Sequence, residues 1–285
     1  MTKKEILESV VSQKFPYRKT INIPKNIGFG YEIEMGLGLI DHAKIYNDFS
    51  KSKYEVAPES NMYNKTHILG TEIVTPVFYN NEKSWKELKK LSDKLKTYKA
   101  NFDYYSFQVN VDDNNGIYQN PLKFIKFFTA YEDIIYTISK GYDKDLRKGI
   151  DIYAHSCLHG LNNIDLNDPK SIYMLNLQFY RNKFYALSLK NKIIEFRTPN
   201  STFDAWLWQN YANIFTNLLL SIQDDKIDYD KIDKYLKNPI DRNVLNIDKA
   251  IELSNIIFSS DTDKLYLLKQ YLYGISNNQI LSLIA

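Results

Sequence analysis

Several segments of this chain alternate strictly between apolar and polar side chains, and the polar set is carboxylate, amide or guanidinium. In FGYEIEMGLG (29–38), Tyr31, Ile33 and Met35 alternate with Glu32 and Glu34. In SFQVNVD (106–112), Phe107, Val109 and Val111 alternate with Gln108, Asn110 and Asp112. In IIEFR (193–197), Ile194 and Phe196 alternate with Glu195 and Arg197. GTEIVTPVF (70–78) carries Glu72 between Thr71 and Ile73. Successive side chains on a strand point to opposite faces, so each segment predicts a strand with one apolar and one polar face. Such strands need a cover on one side only.

The cover comes from helical segments. Trp85, Leu88, Leu91 and Leu95 recur at helical spacing in 81–98. A helix is expected over 3–13, and another over 120–141, with Pro121 near its first turn and Gly141 at its end. A further helix over 203–222 follows Ser201-Thr-Phe-Asp204, read as a capping box. Residues 41–70 read as irregular with a short strand at 53–57, and 142–170 as short helices and loops. Strands are expected at 172–178, 183–190 and 192–199. Strands and helices do not alternate one for one, so the expected class is α+β with a largely antiparallel sheet. The expected organisation is a main domain over 1–222 and a helical appendage over 223–285 packed on it.

Composition excludes more than it assigns. The net charge of +3 on 285 residues, with Lys and Asp/Glu interleaved, gives no electrostatic case for nucleic acid. Cys157 is the only cysteine, so no intrachain disulfide and no cysteine-based zinc site can form. The N-terminus lacks the apolar core of a signal peptide, and no run of about 18 apolar residues is present. A soluble cytoplasmic protein with no membrane partner is the expectation.

A sheet with its polar face in water would give the same alternation. Two details point to a pocket instead. The polar faces hold few Lys and Thr, and the acids recur beside strand ends rich in Gly and Pro, where a backbone can approach a ligand. Glu32 and Glu34 lie two residues apart, so their Cα atoms are about 6.6 Å from each other. Two carboxylates that close, away from water, require a counter-charge. A hard divalent ion supplies one and takes oxygen ligands, which Glu72 and Glu195 would complete. The planar fork of Arg197 suits phosphate or carboxylate oxygens. Neither a G-x-x-x-x-G-K-[ST] loop nor G-x-G-x-x-G is present, so any nucleotide is held another way.

The order GYEIEMG, GTEIVTPVF, FQVNVD, then KFYALSL followed by IIEFRTPNSTFDAW, resembles the amidoligase family of carboxylate–amine ligases, over roughly residues 28–222. Glutamine synthetase and glutamate–cysteine ligase are relatives of that family. Where many amidoligases have H-x-H, this chain has Gln108-Val109-Asn110. The resemblance implies a sheet curved into a partial barrel, with helices on its convex face and ATP and Mg²⁺ or Mn²⁺ on its concave face. It implies Glu32, Glu34, Glu72 and Glu195 as metal ligands, and Gln108 and Asn110 facing the nucleotide. Arg197 would bind phosphate, and Arg197 and Glu34 would stand closest to the chemistry. Arg181 and Lys183 would lie near the substrate side, and Glu59-Ser60 would form an acidic turn. The implied partners are a carboxylate donor (an amino acid, a peptide or a protein side chain) and an amine acceptor. The implied reaction is phosphorylation of the carboxylate by ATP, then attack of the amine on the acyl phosphate.

Two other functions fit the same residues. One is a binding protein that keeps the fold without turnover. The other is a metal-independent hydrolase pairing Glu32 or Glu34 with Glu195. Elsewhere, His155 and His159 are four apart but lack the Glu of H-E-x-x-H, and read as ordinary histidines, as do His42 and His67. Cys157 reads as a packed apolar residue. Trp206 and Trp208 are two apart on a helix and must face different ways, and the lysines of 83–99 read as a solvated helix face.

Overall fold

A computed structural model describes residues 3–59, 68–114, 116–117, 121–162, 169–223, 226–238 and 244–275. Ser60 and His67 lie outside them. The first part of the chain runs α1 (Lys3–Ser12), β1 (Gly28–Gly38), α2 (Leu39–Phe49), β2 (Glu55–Pro58), β3 (Ile68–Val74), β4 (Phe78–Tyr79), α3 (Glu82–Leu95), β5 (Ala100–Asn101) and β6 (Phe107–Asp112). Then come α4 (Leu122–Ala130), α5 (Glu132–Ser139), α6 (Ile150–Tyr153), α7 (Leu158–Asn162), α8 (Pro169–Phe179), β7 (Leu187–Lys190) and β8 (Ile193–Phe196). Helices α9 (Ala205–Leu220), α10 (Tyr229–Lys237), α11 (Ile247–Ile257) and α12 (Asp261–Tyr273) follow.

The strands form one open antiparallel sheet in the order β2-β3-β1-β6-β8-β7, with β4 and β5 short additions to β1. Its apolar face is laid down by the alternation itself: Tyr31, Ile33, Met35, Phe107, Val109, Ile194 and Phe196 are all buried. Helix α9 packs across that face. Trp208 stacks on Phe107 and Phe215 stacks on Phe196, with ring centroids 5.6 and 4.2 Å apart. The Tyr31 hydroxyl donates to the Trp208 carbonyl at 2.9 Å. Helix α3 lies beside α9, with Trp85, Leu88, Leu91 and Leu95 buried.

Helix α9 is buried on nearly all sides because it is covered twice. Helices α11 and α12 pack on its outer surface, where Asn213 donates to Asp263 at 2.8 Å and Asn210 donates to the Tyr266 carbonyl at 3.1 Å. Helix α10 packs on α4 and α12 also packs on α5. One buried apolar cluster therefore runs from Leu7 to Ile275 and includes the C-terminal helices. Trp206 points away from the sheet and stacks on Tyr142 and Tyr266.

Four local expectations are corrected. Residues 172–178 are not a strand but part of α8. Pro169 starts the helix, and Ser171, Leu175 and Phe179 are buried at intervals of four while Tyr173, Met174 and Leu177 are exposed. Part of the stretch read as irregular is α2, which buries Ile45 and Phe49 four residues apart. The helix expected over 120–141 is two, α4 and α5, broken at Tyr131, whose φ of −111° and ψ of 14° leave the helical region. Gly141, at φ +61°, does stop α5, in the left-handed conformation glycine accepts. The capping box is replaced by a simpler cap. Asp204 is the N-cap of α9 and accepts from the Trp206 and Leu207 amides at 2.8 and 3.2 Å, while Ser201 donates to the Glu34 carbonyl instead.

Phe196 sits between Phe124, Phe128 and Phe215 with no exposed surface. Phe196→Ala should lower the unfolding free energy by about 3–5 kcal/mol in a urea titration, the usual cost of truncating a buried aromatic. A loss under about 1 kcal/mol would mean that this contact does not tie the sheet to its helices.

Candidate functional site

Directly opposed residues on neighbouring antiparallel strands share a face. The register sets Glu34 opposite Glu72, Glu32 opposite Gln108, and Asn110 opposite Glu195. Glu195 is also opposite Ser188, and Lys190 lies two residues further along β7 on the same face. Side chains distant in sequence thus meet on one polar face. They divide into two groups of different charge.

In the first group, carboxylates are matched by cations. Glu195 is almost fully buried; its Oε1 accepts from Arg197 Nη1 at 2.6 Å, and its Oε2 is in contact with Lys190 Nζ. Lys190 Nζ also reaches Glu32 Oε1 at 3.3 Å, and Asn110 Nδ2 donates to that same oxygen at 3.0 Å. Arg197 Nη1 donates in addition to Gln108 Oε1 at 2.7 Å, and its Nε lies 3.4 Å from the Tyr153 carbonyl. Burial alone would lower the Lys190 pKa, but Glu195 and Glu32 outweigh it and hold the ammonium above its ordinary range.

In the second group, three acids crowd together. Carboxylate oxygens of Glu34, Glu59 and Glu72 all lie within 4.8 Å of one another, each side chain half-buried. Glu34 is fixed by Gln108 Nε2 at 2.7 Å and by the Ser106 amide at 2.9 Å. Gln108 therefore joins the two groups, its carbonyl oxygen toward Arg197 and its amide nitrogen toward Glu34. Glu59 is brought in by its backbone, whose amide donates to the Gly70 carbonyl at 3.0 Å. A Cβ at position 70 would stand 2.3 Å from the Glu59 carbonyl oxygen, so only glycine allows that approach. Burial, with the charges of Glu32 and Glu34 close by, pushes the Glu72 carboxyl from 4.5 up to about 8.

Two residues of the site escape a sequence reading. Arg147 lies in the loop before α6 and faces a narrow cavity shared with Glu34, Glu59 and Arg197. It is fully buried and donates to the carbonyls of Arg197, Thr198 and Pro199 at 2.9, 2.9 and 3.1 Å. Burial lowers its pKa to about 10, against the pull of Glu34. Lys190 is the other: it ends β7, just after KFYALSL, where no role is read for it. A basic residue two positions beyond a small polar one on a strand is the one available signal.

Other expected positions fall elsewhere. Arg181 and Lys183 are exposed in the turn before β7, outside the hydrogen-bond network of the polar face; Arg181 has φ +51° and its guanidinium lies over the Tyr180 ring. His155 and His159 line a separate cavity of about 430 Å³ with Glu132, Asp133 and Lys249. Burial, then the neighbouring His159, lowers the His155 pKa. Among the described residues these histidines belong to no group of three close enough to share an ion. Cys157 is buried, and its thiol is pushed well above its ordinary pKa by that burial and by Glu132, which does not suit a nucleophile. His42 bonds Thr71 Oγ1 at 2.8 Å. Among the described residues no helix is long and apolar enough to cross a membrane.

No protein-family model matches the chain, and no match is found among the curated proteins or the solved structures.

The raised Glu72 pKa fixes a pH dependence. The folded chain keeps this proton up to about pH 8, whereas the unfolded chain releases it near 4.5. The unfolded state therefore binds fewer protons between those values, and the stability this group contributes at low pH is lost as pH rises across them. In EDTA, Glu72→Gln should flatten the decline in Tm over that window and melt above the wild type at pH 8.5. Parallel Tm curves for the two proteins would show that Glu72 titrates normally. Arg147→Met removes a buried donor from three carbonyls, of which Pro199 keeps the Phe107 amide, and should cost about 3 kcal/mol in urea unfolding. A cost within about 0.5 kcal/mol, the range of ordinary surface changes, would deny Arg147 that role.

Proposed function

We propose that the chain is an ATP- and Mg²⁺-dependent carboxylate–amine ligase of amidoligase type. The observation that carries the reading is the convergence of Glu34, Glu59 and Glu72 from β1, the end of β2 and β3. The Glu72 carboxyl is held protonated to about pH 8 by burial first and by the neighbouring acids second, and a bound cation would offset both. Three carboxylates of this kind fit a hard divalent ion, Mg²⁺ or Mn²⁺, as first ligands. The reading carries with it the partial-barrel curvature of the sheet and a ligase-like fold. It also takes the motif order GYEIEMG, GTEIVTPVF, FQVNVD and IIEFR as kinship.

In this reading Glu34, Glu59 and Glu72 hold the metal. The bound ion supplies charge neutralisation for phosphoryl transfer from ATP to the carboxylate donor. Gln108 keeps Glu34 oriented, since it is itself fixed by Arg197. Arg147 secures the backbone of 197–199, and so the position from which Arg197 acts. Arg197 provides fixed positive charge beside the acids, the kind of preorganised electrostatics that stabilises a developing oxyanion. The donor is an amino acid, a peptide or a protein side chain, and the acceptor is an amine.

One observation favours a second reading, a nucleotide- or ligand-binding protein without turnover. Arg197 Nη1 is committed to Glu195 and Gln108, and Lys190 to Glu195 and Glu32, so these cations already have partners within the protein. A triphosphate would need Arg197 to exchange one of them. The hydrolase reading fares worse, because Glu195 is ion-paired at both oxygens.

Calorimetry with ATP in the presence of Mg²⁺, paired with a phosphate-release assay over amino acids and amines, separates these readings. The ligase reading expects Mg²⁺-dependent ATP binding and amine-dependent phosphate release, both reduced at least tenfold in Glu72→Gln. Binding without turnover across the panel would favour the second reading. No heat with ATP and Mg²⁺ would end both.

A further inference from the structure

We infer that Lys190 is a built-in cation, occupying between Glu32 and Glu195 the position that a second divalent ion would take on this sheet face. The inference rests on the metal reading of the proposed function for its wild-type count, and on the geometry of Lys190 for the rest. Nζ of Lys190 bridges two carboxylates carried by different strands, Glu32 on β1 and Glu195 on β8, as a shared metal ion does. Both carboxylates are held for such a bridge. Asn110 fixes Glu32 Oε1, and Arg197 fixes Glu195 Oε1. The bridging charge is supplied by the protein itself, as a compact ammonium on a flexible stem.

That occupancy has a consequence for stoichiometry. With the ammonium in place, Glu32 and Glu195 are matched by Lys190 and Arg197, two acids to two cations. A divalent ion there would add excess positive charge within a few ångströms of an ammonium. The acids left for a metal are Glu34, Glu59 and Glu72. Lys190 thus sets the number of divalent ions at one. The Lys190 side chain is one-third exposed, so its removal opens the Glu32–Glu195 position to solvent without hollowing the core.

The test is a count of bound Mn²⁺, read from the electron paramagnetic resonance signal of the free ion during titration of the full chain at pH 7.5. The wild type, Lys190→Met, Lys190→Gln and Lys190→Arg are compared, each checked for native circular dichroism. Lys190→Met and Lys190→Gln should each bind one Mn²⁺ more than the wild type, and Lys190→Arg should match the wild type. Adding Glu32→Gln to Lys190→Met should remove the extra ion. The two neutral variants differ in polarity, so a folded form of either suffices. Equal counts in the wild type and the folded neutral variants would overturn the inference, as would an extra ion that survives Glu32→Gln. The wild-type count tests the metal reading separately. Zero in the wild type and one in the variants would refute the acid trio as a metal site and uphold the role of Lys190.

Discussion

The polar face depends on Glu195 being held between two cations. A carboxylate with almost no exposed surface is costly by several kcal/mol unless it is paired and hydrogen-bonded. Arg197, just beyond the same strand, and Lys190, on the neighbouring one, supply that pairing. The consequence spreads along the face. Arg197, committed to Glu195, offers the same nitrogen to the Gln108 carbonyl oxygen, which leaves the Gln108 amide group for Glu34. The side-chain relay Lys190–Glu195–Arg197–Gln108–Glu34 thus connects the matched charges to the acid trio.

The opposite face explains why this arrangement stays in register. A slip of one residue in β1 or β6 would turn Glu32, Glu34 and Gln108 into the apolar layer and expose Tyr31 and Phe107. That layer is locked by aromatic contacts with α9, and α9 is held from outside by α11 and α12. The C-terminal helices therefore act on the site at two removes, by backing the helix that backs the sheet.

Much of this was legible in the chain itself, because period-two alternation survives any tertiary context in which one sheet face is buried. The two faces of β1, β6 and β8 followed from it, while the placing of Glu32, Glu34, Glu72 and Glu195 on one side depends on the strand order and register, which alternation does not fix. The charge pattern within that side did not follow. Whether Glu195 joins the other acids or pairs with Arg197 depends on side-chain reach across strands, which spacing does not encode. Lys190 alternates with Leu187 and Leu189 only over a four-residue strand, Arg147 sits in a loop with no periodic signal, and Glu59 enters through the backbone approach that Gly70 permits. Helix α8 was misread because Ile, Tyr, Met and Leu in a short run suit either state, and packing of Leu175 and Phe179 decided it. Helix α9 shows the converse: its burial on nearly every side, polar stripe included, reflects two layers of neighbours, which one apolar stripe does not reveal.

Whether the acid trio is a cation-deficient site built for a divalent ion can be measured at one carboxyl group. With ¹³C-labelled glutamate, the side-chain carboxyl of Glu72, assigned through Glu72→Gln, can be followed by NMR against pH with and without Mg²⁺. A midpoint near pH 8 without the ion, falling toward the ordinary carboxylate range as Mg²⁺ is added, is the expected result. An ordinary midpoint near 4.5 that Mg²⁺ does not move would contradict it.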